Sequence, residues 1–245
     1  MKTKAIFNWS SGKDSALALY KVLQNSEFEI SCLLTSVNQQ LQRISMHGVR
    51  VELLEQQAKS LGLSLEIMQI PEMPTMEAYE NIMNETVTKL KNQGVTHSIF
   101  GDILLEDLRK YREDQLDKIG FEAVFPLWQI PTVDLIQEFM SLGFKTIVVC
   151  VNERFLDKSY VGRIVDQSFI DDLPENVDVC GENGEFHTFT FDGPIFSMPI
   201  NFEVGEIVYR KYEKPKEVDS SDTACNTNVS DVFDFGFWYC DLIAK

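Results

Sequence analysis

Ala5-Ile6-Phe7-Asn8-Trp9-Ser10-Ser11-Gly12-Lys13-Asp14-Ser15 is the stretch that decides the fold. It begins with a short apolar run, which is typical of a buried strand, and Ser-Ser-Gly ends that run. From Asp14 to Leu23, apolar residues then recur at helical spacing. The stretch therefore predicts a strand, a tight loop and a helix, with the loop at the start of the helix.

This loop has the composition of a phosphate-binding site. Gly12 lets the backbone approach a phosphate closely, and the first N–H groups of a helix bind anions with the helix dipole behind them. The other positions supply hydroxyl donors, a positive charge and a carboxylate: Ser10, Ser11, Ser15, Lys13 and Asp14. Asp14 beside a phosphate calls for an intervening cation such as Mg²⁺. The competing interpretation is a serine-capped helix start with an acidic first turn.

The type of phosphate site follows from the spacing of the loop. It lacks the G-x-x-x-x-G-K-[ST] pattern of the Walker loop, which disfavours an enzyme that transfers the γ-phosphate. We therefore expect ATP binding with cleavage between the α and β phosphates.

Strands alternate with helices through the first half of the chain, which predicts an α/β fold with a parallel sheet covered by helices on both faces. The alternation continues to a strand at 145–151, and beyond about residue 155 strands and turns predominate. We expect an ATP-binding domain at 1–127 and a smaller C-terminal α+β substrate domain at 128–245. The polar tract 213–230 is interpreted as a flexible loop between two paired strands.

Composition narrows the class of protein. The net charge of −16 argues against a nucleic-acid-binding surface, because such surfaces neutralise phosphates with Lys and Arg. The five cysteines form no C-x-x-C pair, and their apolar neighbours suggest buried thiols in a reducing compartment. No apolar stretch is long enough to span a bilayer, so we expect no membrane partner and a cytoplasmic protein.

Two further loops are expected at the carboxyl ends of strands, where parallel sheets bind ligands. His47, next to Gly48, is a candidate contact for a phosphate or the adenine. Gly101 and Asp102 end a strand, and Asp102 could hold Mg²⁺ or a ribose hydroxyl. Arg112, on the following helix, suits a phosphate or carboxylate, although taken in isolation an ion pair within the helix is the favoured explanation.

A second polar patch spans residues 180–188, Cys-Gly-Glu-Asn-Gly-Glu-Phe-His-Thr. Its expected substrate-facing residues are Glu182, Asn183, Gly184, Glu185 and Thr188, and Glu185 or His187 could deprotonate an amine. The alternative is a hairpin turn built on Asn-Gly, which is compatible with a site because turns often carry function. Cys180 has no adjacent partner that would activate it as a nucleophile.

Together these segments resemble the diphthine–ammonia ligase (diphthamide synthase) family of the N-type ATP pyrophosphatases, also called the PP-loop or adenine nucleotide α-hydrolase-like superfamily. Ser11 stands where many members of that superfamily have glycine. The resemblance spans roughly residues 4–200 and rests on these segments: 10–15, 45–49, 101–103, 111–112, 125–128, 161–163 with Asp166, and 180–188 followed by 192–196.

The resemblance implies a Rossmann-like, HUP-type nucleotide domain and a ligase that forms C–N bonds. A carboxylate would be activated by ATP as an acyl-adenylate and captured by ammonia, which releases AMP and pyrophosphate. The acceptor would be diphthine on a translation elongation factor or an analogous carboxylate. Lys13, Asp14, Arg112, Glu185 and His187 would be catalytic. The sequence leaves open a homodimer, a different acceptor, or a nucleotide-binding module without catalysis.

Overall fold

The computed structural model describes residues 2–71, 75–211 and 235–245, which form two sheets. The first sheet holds six strands: β1 (Thr3–Asn8), β2 (Phe28–Asn38), β3 (Arg43–Ile44), β4 (Leu65–Ile70), β5 (His97–Ile99) and β6 (Glu122–Val124). β1 is parallel to β2 on one side and to β5 on the other, and β4 and β6 extend the sheet in parallel. The two-residue β3 is antiparallel to the end of β2 and was not expected.

Helices cover both faces of this sheet: α1 (Lys13–Gln24) and α2 (Val51–Leu61) on one, α3 (Met76–Lys91) and α4 (Glu106–Asp117) on the other. Successive side chains of β1 point to opposite faces of the sheet and so belong to different buried clusters. Phe7 belongs to the buried cluster that contains Leu17 and Leu53, whereas Ile6 belongs to the cluster that contains Val87. The predicted α/β class, with helices on both faces, is confirmed.

The strand order places the first loop at the point where the sheet changes direction. From β1 the chain first builds outward through β2 and β4, and it then returns to the other side of β1 as β5 and β6. The loops after β1 and β5 therefore diverge onto opposite faces and leave a crevice between them. This is where open α/β sheets bind their ligands.

The second sheet is antiparallel, in the order β8-β7-β10-β9. Its strands are β7 (Lys145–Asn152), β8 (Phe186–Asp192), β9 (Phe202–Lys211) and β10 (Gly236–Ala244), accompanied by α5 (Thr132–Ser141) and a short α6 (Gln167–Asp171). The expected pairing of the last two strands is confirmed, and the tract 213–230 lies outside the described residues.

Residues 145–151 were expected to continue the parallel pattern, and this was wrong: they form β7 of the antiparallel sheet. The run from Thr146 to Asn152 is buried throughout. A continuous apolar run indicates burial on both faces but carries no information about strand direction. One buried cluster contains Phe7 of the first sheet and Phe189 of the second, so the boundary at 127/128 stays a prediction. Within the described ranges, no helix is long and apolar enough to cross a membrane.

Candidate functional site

A cleft of about 1260 Å³ opens at the carboxyl ends of the strands of the first sheet. It brings together most of the candidate residues: Ser10, Lys13, Asp14, Ser15, His47, Gly101, Asp102, Arg112, Glu182, Asn183, Gly184, His187 and Thr188. The three predicted loops thus meet the second polar patch in one place. Three candidates, Ser11, Gly12 and Glu185, do not line the cleft.

Serine hydroxyls shape the loop Ser10–Ser15. The Gly12 N–H donates to Ser10 Oγ (3.3 Å), Ser10 Oγ donates to Ser15 Oγ (3.1 Å), and Ser15 Oγ donates to the Gly12 carbonyl (2.9 Å). Gly12 precedes the first residue of α1 and offers no side-chain cap. The loop is therefore held in shape by its own hydroxyls, and Gly12 supplies no cap that would compete with an anion at the start of α1.

Ser11 was expected to offer its hydroxyl to a phosphate, but its side chain points away from the cleft. It adopts a left-handed φ of 72°, it is fully buried, and within the described chain its Oγ has no hydrogen-bond partner. Its carbonyl accepts hydrogen bonds from the Thr190 N–H (2.9 Å) and from Gln57 Nε2 (3.2 Å). Ser11 therefore ties the loop to β8 and α2 and does not present a hydroxyl to the cleft.

Lys13 is the cation of the loop. It is 3% exposed, its Nζ lies 2.8 Å from Asp14 Oδ2, and it also donates to the carbonyl oxygen of Cys180. Burial is the largest single influence and lowers the pKa of Lys13, but Asp14, Cys180 and Glu182 together outweigh it, so the pKa of Lys13 is raised. A charged lysine is thus fixed between the phosphate loop and the second patch.

Asp102 and Arg112 form an ion pair across the cleft mouth. Arg112 Nη2 donates to Asp102 Oδ1 (3.2 Å), and its Nε lies 3.0 Å from Oδ2. Arg112 therefore pairs with a residue outside its own helix, unlike the intrahelical alternative. Burial raises the pKa of Asp102, Arg112 opposes that effect, and Asp14 adds to it.

Asp14 and Asp102 are the residues that could hold Mg²⁺. In proteins Mg²⁺ is commonly held by one or two carboxylates together with substrate phosphates. Both carboxylates line the cleft. The described ranges contain no group of three or more potential metal ligands. These residues fit a magnesium ion that takes its remaining ligands from a nucleotide and water.

Gly101 brings the loop after β5 against the start of α1. A Cβ atom added there would lie 3.1 Å from the Asp14 carbonyl carbon and from the Ser15 nitrogen, which is closer than most real contacts. Gly101 is therefore needed for the approach of two backbones, and its own contribution to the cleft is backbone.

The second patch is tied to all three loops. Thr188 Oγ1 accepts from the Lys13 N–H (3.0 Å), and the Thr188 carbonyl accepts from His47 Nδ1 (3.0 Å). Glu182 Oε1 accepts from the N–H groups of Ile103 (2.9 Å) and Leu104 (3.0 Å), while burial raises the pKa of Glu182. The hairpin alternative is thus compatible with a site, because the turn at 181–184 forms one wall of the cleft.

Glu185 was expected to be catalytic and to face the substrate, and the geometry corrects this. Its side chain is fully buried, and its oxygens accept from Asp178 N (3.0 Å), Asn183 N (2.8 Å) and Asn183 Nδ2 (3.0 Å). These bonds fold the turn back on itself. Glu185 therefore positions the substrate-side turn and does not reach the cleft.

His47 stacks on His187, with ring centroids 4.7 Å apart. Burial lowers the pKa of His47 to about 4, although its bond to Thr188 opposes this, and the pKa of His187 is lowered well below its usual value, again mainly by burial. Both rings are therefore neutral near pH 7. Since the proton of a neutral His47 lies on Nδ1, its Nε2 is an acceptor. A contact of His47 with a phosphate or with the adenine stays a prediction.

Part of the cleft wall was not anticipated from the sequence. Arg43 of β3 and Glu206, Arg210, Tyr239 and Asp241 of the β9–β10 pair line its far end. Asp241 accepts from Arg43 Nη1 (2.8 Å) and from Arg50 Nη2 (2.6 Å), which joins the second sheet to the first. Isolated charges on exposed strands carry no sequence signal that could have identified this wall.

Comparison with known protein families gives two matches. The model of the diphthamide synthase N-terminal domain matches residues 1–123, and that of the diphthamide synthase C-terminal domain matches residues 131–218. The first match alone covers slightly more than half of the chain.

Similar curated proteins are named diphthine–ammonia ligase. The Homo sapiens protein is 28% identical over 60% of this chain and 57% of its own length, and the Bos taurus protein is 30% identical over 51% of this chain and 49% of its own length. The chain thus aligns with about half the length of these relatives. Among solved structures, the U34-tRNA thiolase NcsA of Methanococcus maripaludis is similar with a TM-score of 0.35 and 17% identity, over 58% of this chain and 57% of that one.

Proposed function

Because the chain belongs to the diphthamide synthase family, we propose that it is an ATP-dependent ligase that converts a carboxylate into an amide. The carboxylate oxygen attacks the α-phosphorus of ATP and pyrophosphate leaves. Ammonia then attacks the acyl carbon and AMP leaves. The observation that carries this proposal is that the loop Ser10–Ser15 and the patch 181–188 line one cleft, so a nucleotide and an acceptor can meet.

The residues of the loop take the nucleotide side of this reaction. Ser10, Ser15 and the start of α1 bind the phosphates, and Gly12 leaves room beside them for His47 and Thr188. Lys13 and Arg112 offset the charge of the departing pyrophosphate. Mg²⁺ held by Asp14 and Asp102 would supply further positive charge to the phosphates.

The second patch takes the acceptor side. Glu182, Asn183, Gly184 and Thr188 form the wall that faces the loop, and Glu185 holds this wall in place. The names of the relatives point to diphthine as the acceptor and to ammonia as the nitrogen donor. We propose the same pair of substrates here, with an elongation factor as the protein that carries diphthine.

Labelled nucleotide tests this proposal. The full chain is incubated with ATP labelled at the α-phosphate, ammonium and an elongation factor that carries diphthine. We expect labelled AMP in amounts equal to the amide, and none when ammonium or the acceptor is left out. Labelled ADP without AMP would contradict the proposal, and binding of ATP without any turnover would favour the non-catalytic module.

The alternative function is that of a sulfur-transferring enzyme of the same superfamily, and the state of the cysteine thiols argues against it. Such an enzyme needs reactive thiolates. Burial raises the pKa of Cys32 and Cys240 to about 11 and that of Cys150 and Cys180 to about 12. The four cysteines in the described part of the chain are therefore almost fully protonated near pH 7.

A further inference from the structure

Two of the three histidines of the chain, His47 and His187, stack on each other in the cleft. His47 comes from the loop between β3 and α2, and His187 comes from β8, so this histidine pair joins the two sheets. A Cβ added at Gly12 would lie 2.9 Å from His47 Cε1. The pair therefore lies directly against the phosphate loop, on the side of the second patch.

The hydrogen bonds of the pair leave acceptor nitrogens unused. His47 gives its Nδ1 proton to the Thr188 carbonyl, so its Nε2 carries a lone pair. Across residues 2–71, 75–211 and 235–245, no protein group hydrogen-bonds to either ring nitrogen of His187. A neutral imidazole always has one accepting nitrogen. The pair thus offers acceptors to a small ligand that carries N–H or O–H groups.

The electrostatic surroundings select against a cationic ligand. Burial lowers the pKa of His187, and the neighbouring His47 and the charged Lys13 lower it further. These effects act in the same way on an ammonium ion that enters this corner, because they disfavour any positive charge there. Neutral ammonia, which has three N–H donors and a free lone pair, suits the corner better than ammonium does.

We propose that the histidine pair is the ammonia-binding site of the cleft, where His187 accepts a hydrogen bond from ammonia and His47 positions His187 by stacking. This inference rests on the proposed ligase function and locates its second substrate. The ammonia lone pair forms the C–N bond with the acyl carbon of the adenylate. The bond from that carbon to the AMP oxygen breaks, and its electron pair leaves with AMP. The surplus proton on nitrogen passes to water.

Kinetics of two half-reactions test the role of His187. Exchange of labelled pyrophosphate into ATP, with the diphthine-bearing elongation factor and no ammonium, reports on adenylation alone. Amide formation at increasing ammonium reports on both steps. In His187→Phe we expect KM for ammonium to rise about 10-fold, in line with the loss of a hydrogen bond, while exchange falls far less. His187→Gln, which keeps an acceptor, should recover part of the loss.

The third histidine provides the matched control. His97 lies on β5, packs at a tilt against the Phe28 ring and has its Nε2 3.4 Å from Glu122 Oε2. His97→Phe should leave KM for ammonium unchanged. The inference is overturned if His187→Phe reduces exchange and amide formation equally, or if it leaves KM for ammonium unchanged.

Ammonia binding is also measurable without the acceptor. In the full chain labelled with ¹⁵N-histidine, three histidines give signals that the two Phe variants assign. At mildly alkaline pH, ammonium chloride should shift the signals of His187 and His47 but not of His97, and sodium chloride at equal concentration should not. Unmoved His187 signals overturn the inference even if the ligase activity is found. If the His187 and His47 signals shift but the protein forms no AMP, the proposed ligase function is refuted and the ammonia-binding site is still supported.

Discussion

At the scale of single residues, Ser11 is the position under strain. A left-handed backbone costs a non-glycine residue about 1 to 2 kcal/mol, and a buried hydroxyl without a partner costs about 1 to 3 kcal/mol. Glycine removes both costs and loses about 0.5 to 1 kcal/mol in chain entropy. We therefore expect Ser11→Gly to raise the free energy of unfolding by at least about 1 kcal/mol in urea denaturation.

Met46→Gly is the control for Ser11→Gly. Met46 also has a left-handed φ of 64°, but its side chain is exposed. It should gain less, since no buried hydroxyl is removed. A Ser11→Gly protein less stable than the unmodified chain would show that Ser11 Oγ has a stabilising partner.

Glu185 allows a distinction between a positioning and a catalytic role. Its buried carboxylate accepts three hydrogen bonds from the turn it supports. Glu185→Ala should lower the free energy of unfolding by about 2 kcal/mol, as for a buried charged acceptor, together with amide formation. Asn183→Ala, which removes only one of these donors, should cost less. Lost activity with unchanged stability would instead make Glu185 a catalytic residue.

The positions of some site residues could be predicted from the sequence and those of others could not, and the local structure around each residue explains why. Lys13 and Asp14 follow from a motif that a strand and a helix hold in a fixed orientation. Glu182 and Glu185 lie in a turn whose Gly184 has a φ of 80°, so spacing does not tell which carboxylate points outward. The sequence therefore suggested both, and only Glu182 lines the cleft.

At the scale of elements, the loop after β5 packs closely against the start of α1. Gly101→Ala would place a methyl group 3.1 Å from the backbone of Asp14 and Ser15. The loop or the helix start must then move, and we expect the affinity for ATP to fall about 10-fold, as for the loss of one or two hydrogen bonds. Calorimetric titration measures this. An unchanged affinity would show that the helix start does not bind the phosphates.

The ion pairs of Asp241 connect β10 to β3 and to the start of α2, and the stability that they contribute depends on pH. Hydrogen bonds from Arg50, and then from Arg43, lower the pKa of Asp241 to about 2, although burial opposes them. Because the folded pKa lies below the unfolded value of about 3.9, the stabilisation is present above that value and is lost as pH falls towards 2. Allowing for screening, it amounts to about 1 to 2 kcal/mol.

Urea denaturation at pH 6 and pH 2.5 tests this pH dependence. Asp241→Asn should be less stable than the unmodified chain at pH 6, and the difference should shrink at pH 2.5. Asp192→Asn, which breaks a pair with the exposed Lys145, should change stability less at pH 6. An Asp241→Asn difference of equal size at both pH values would contradict the account.

Long periodic elements were the predictable part of the fold. α1 was recognised because many of its apolar positions repeat at helical spacing. β3, with two residues, and α6, with five, are too short to produce a period. The direction of β7 could not be predicted either, since it depends on its partners β8 and β10 and not on its own residues.

At the scale of the whole molecule, residues from both sheets form the cleft. The first sheet supplies the phosphate loop at its change of direction, and the second supplies the turn 181–184 and the far wall from β9 and β10. The nucleotide half was predictable, because its loops follow consecutive strands. The far wall was not, because Tyr239 meets Gly48 only through the folding of distant parts of the chain.

In the proposed reaction, a carboxylate becomes joined to the α-phosphate of ATP inside this cleft. Transfer of ¹⁸O tests this step most directly: the acceptor is prepared with ¹⁸O in its carboxylate, one complete turnover is run with ATP and ammonium, and the product masses are measured by mass spectrometry. We expect one ¹⁸O atom in AMP for each amide formed, and none in pyrophosphate. Amide formation with ¹⁸O in inorganic phosphate and ADP as the second product would contradict it.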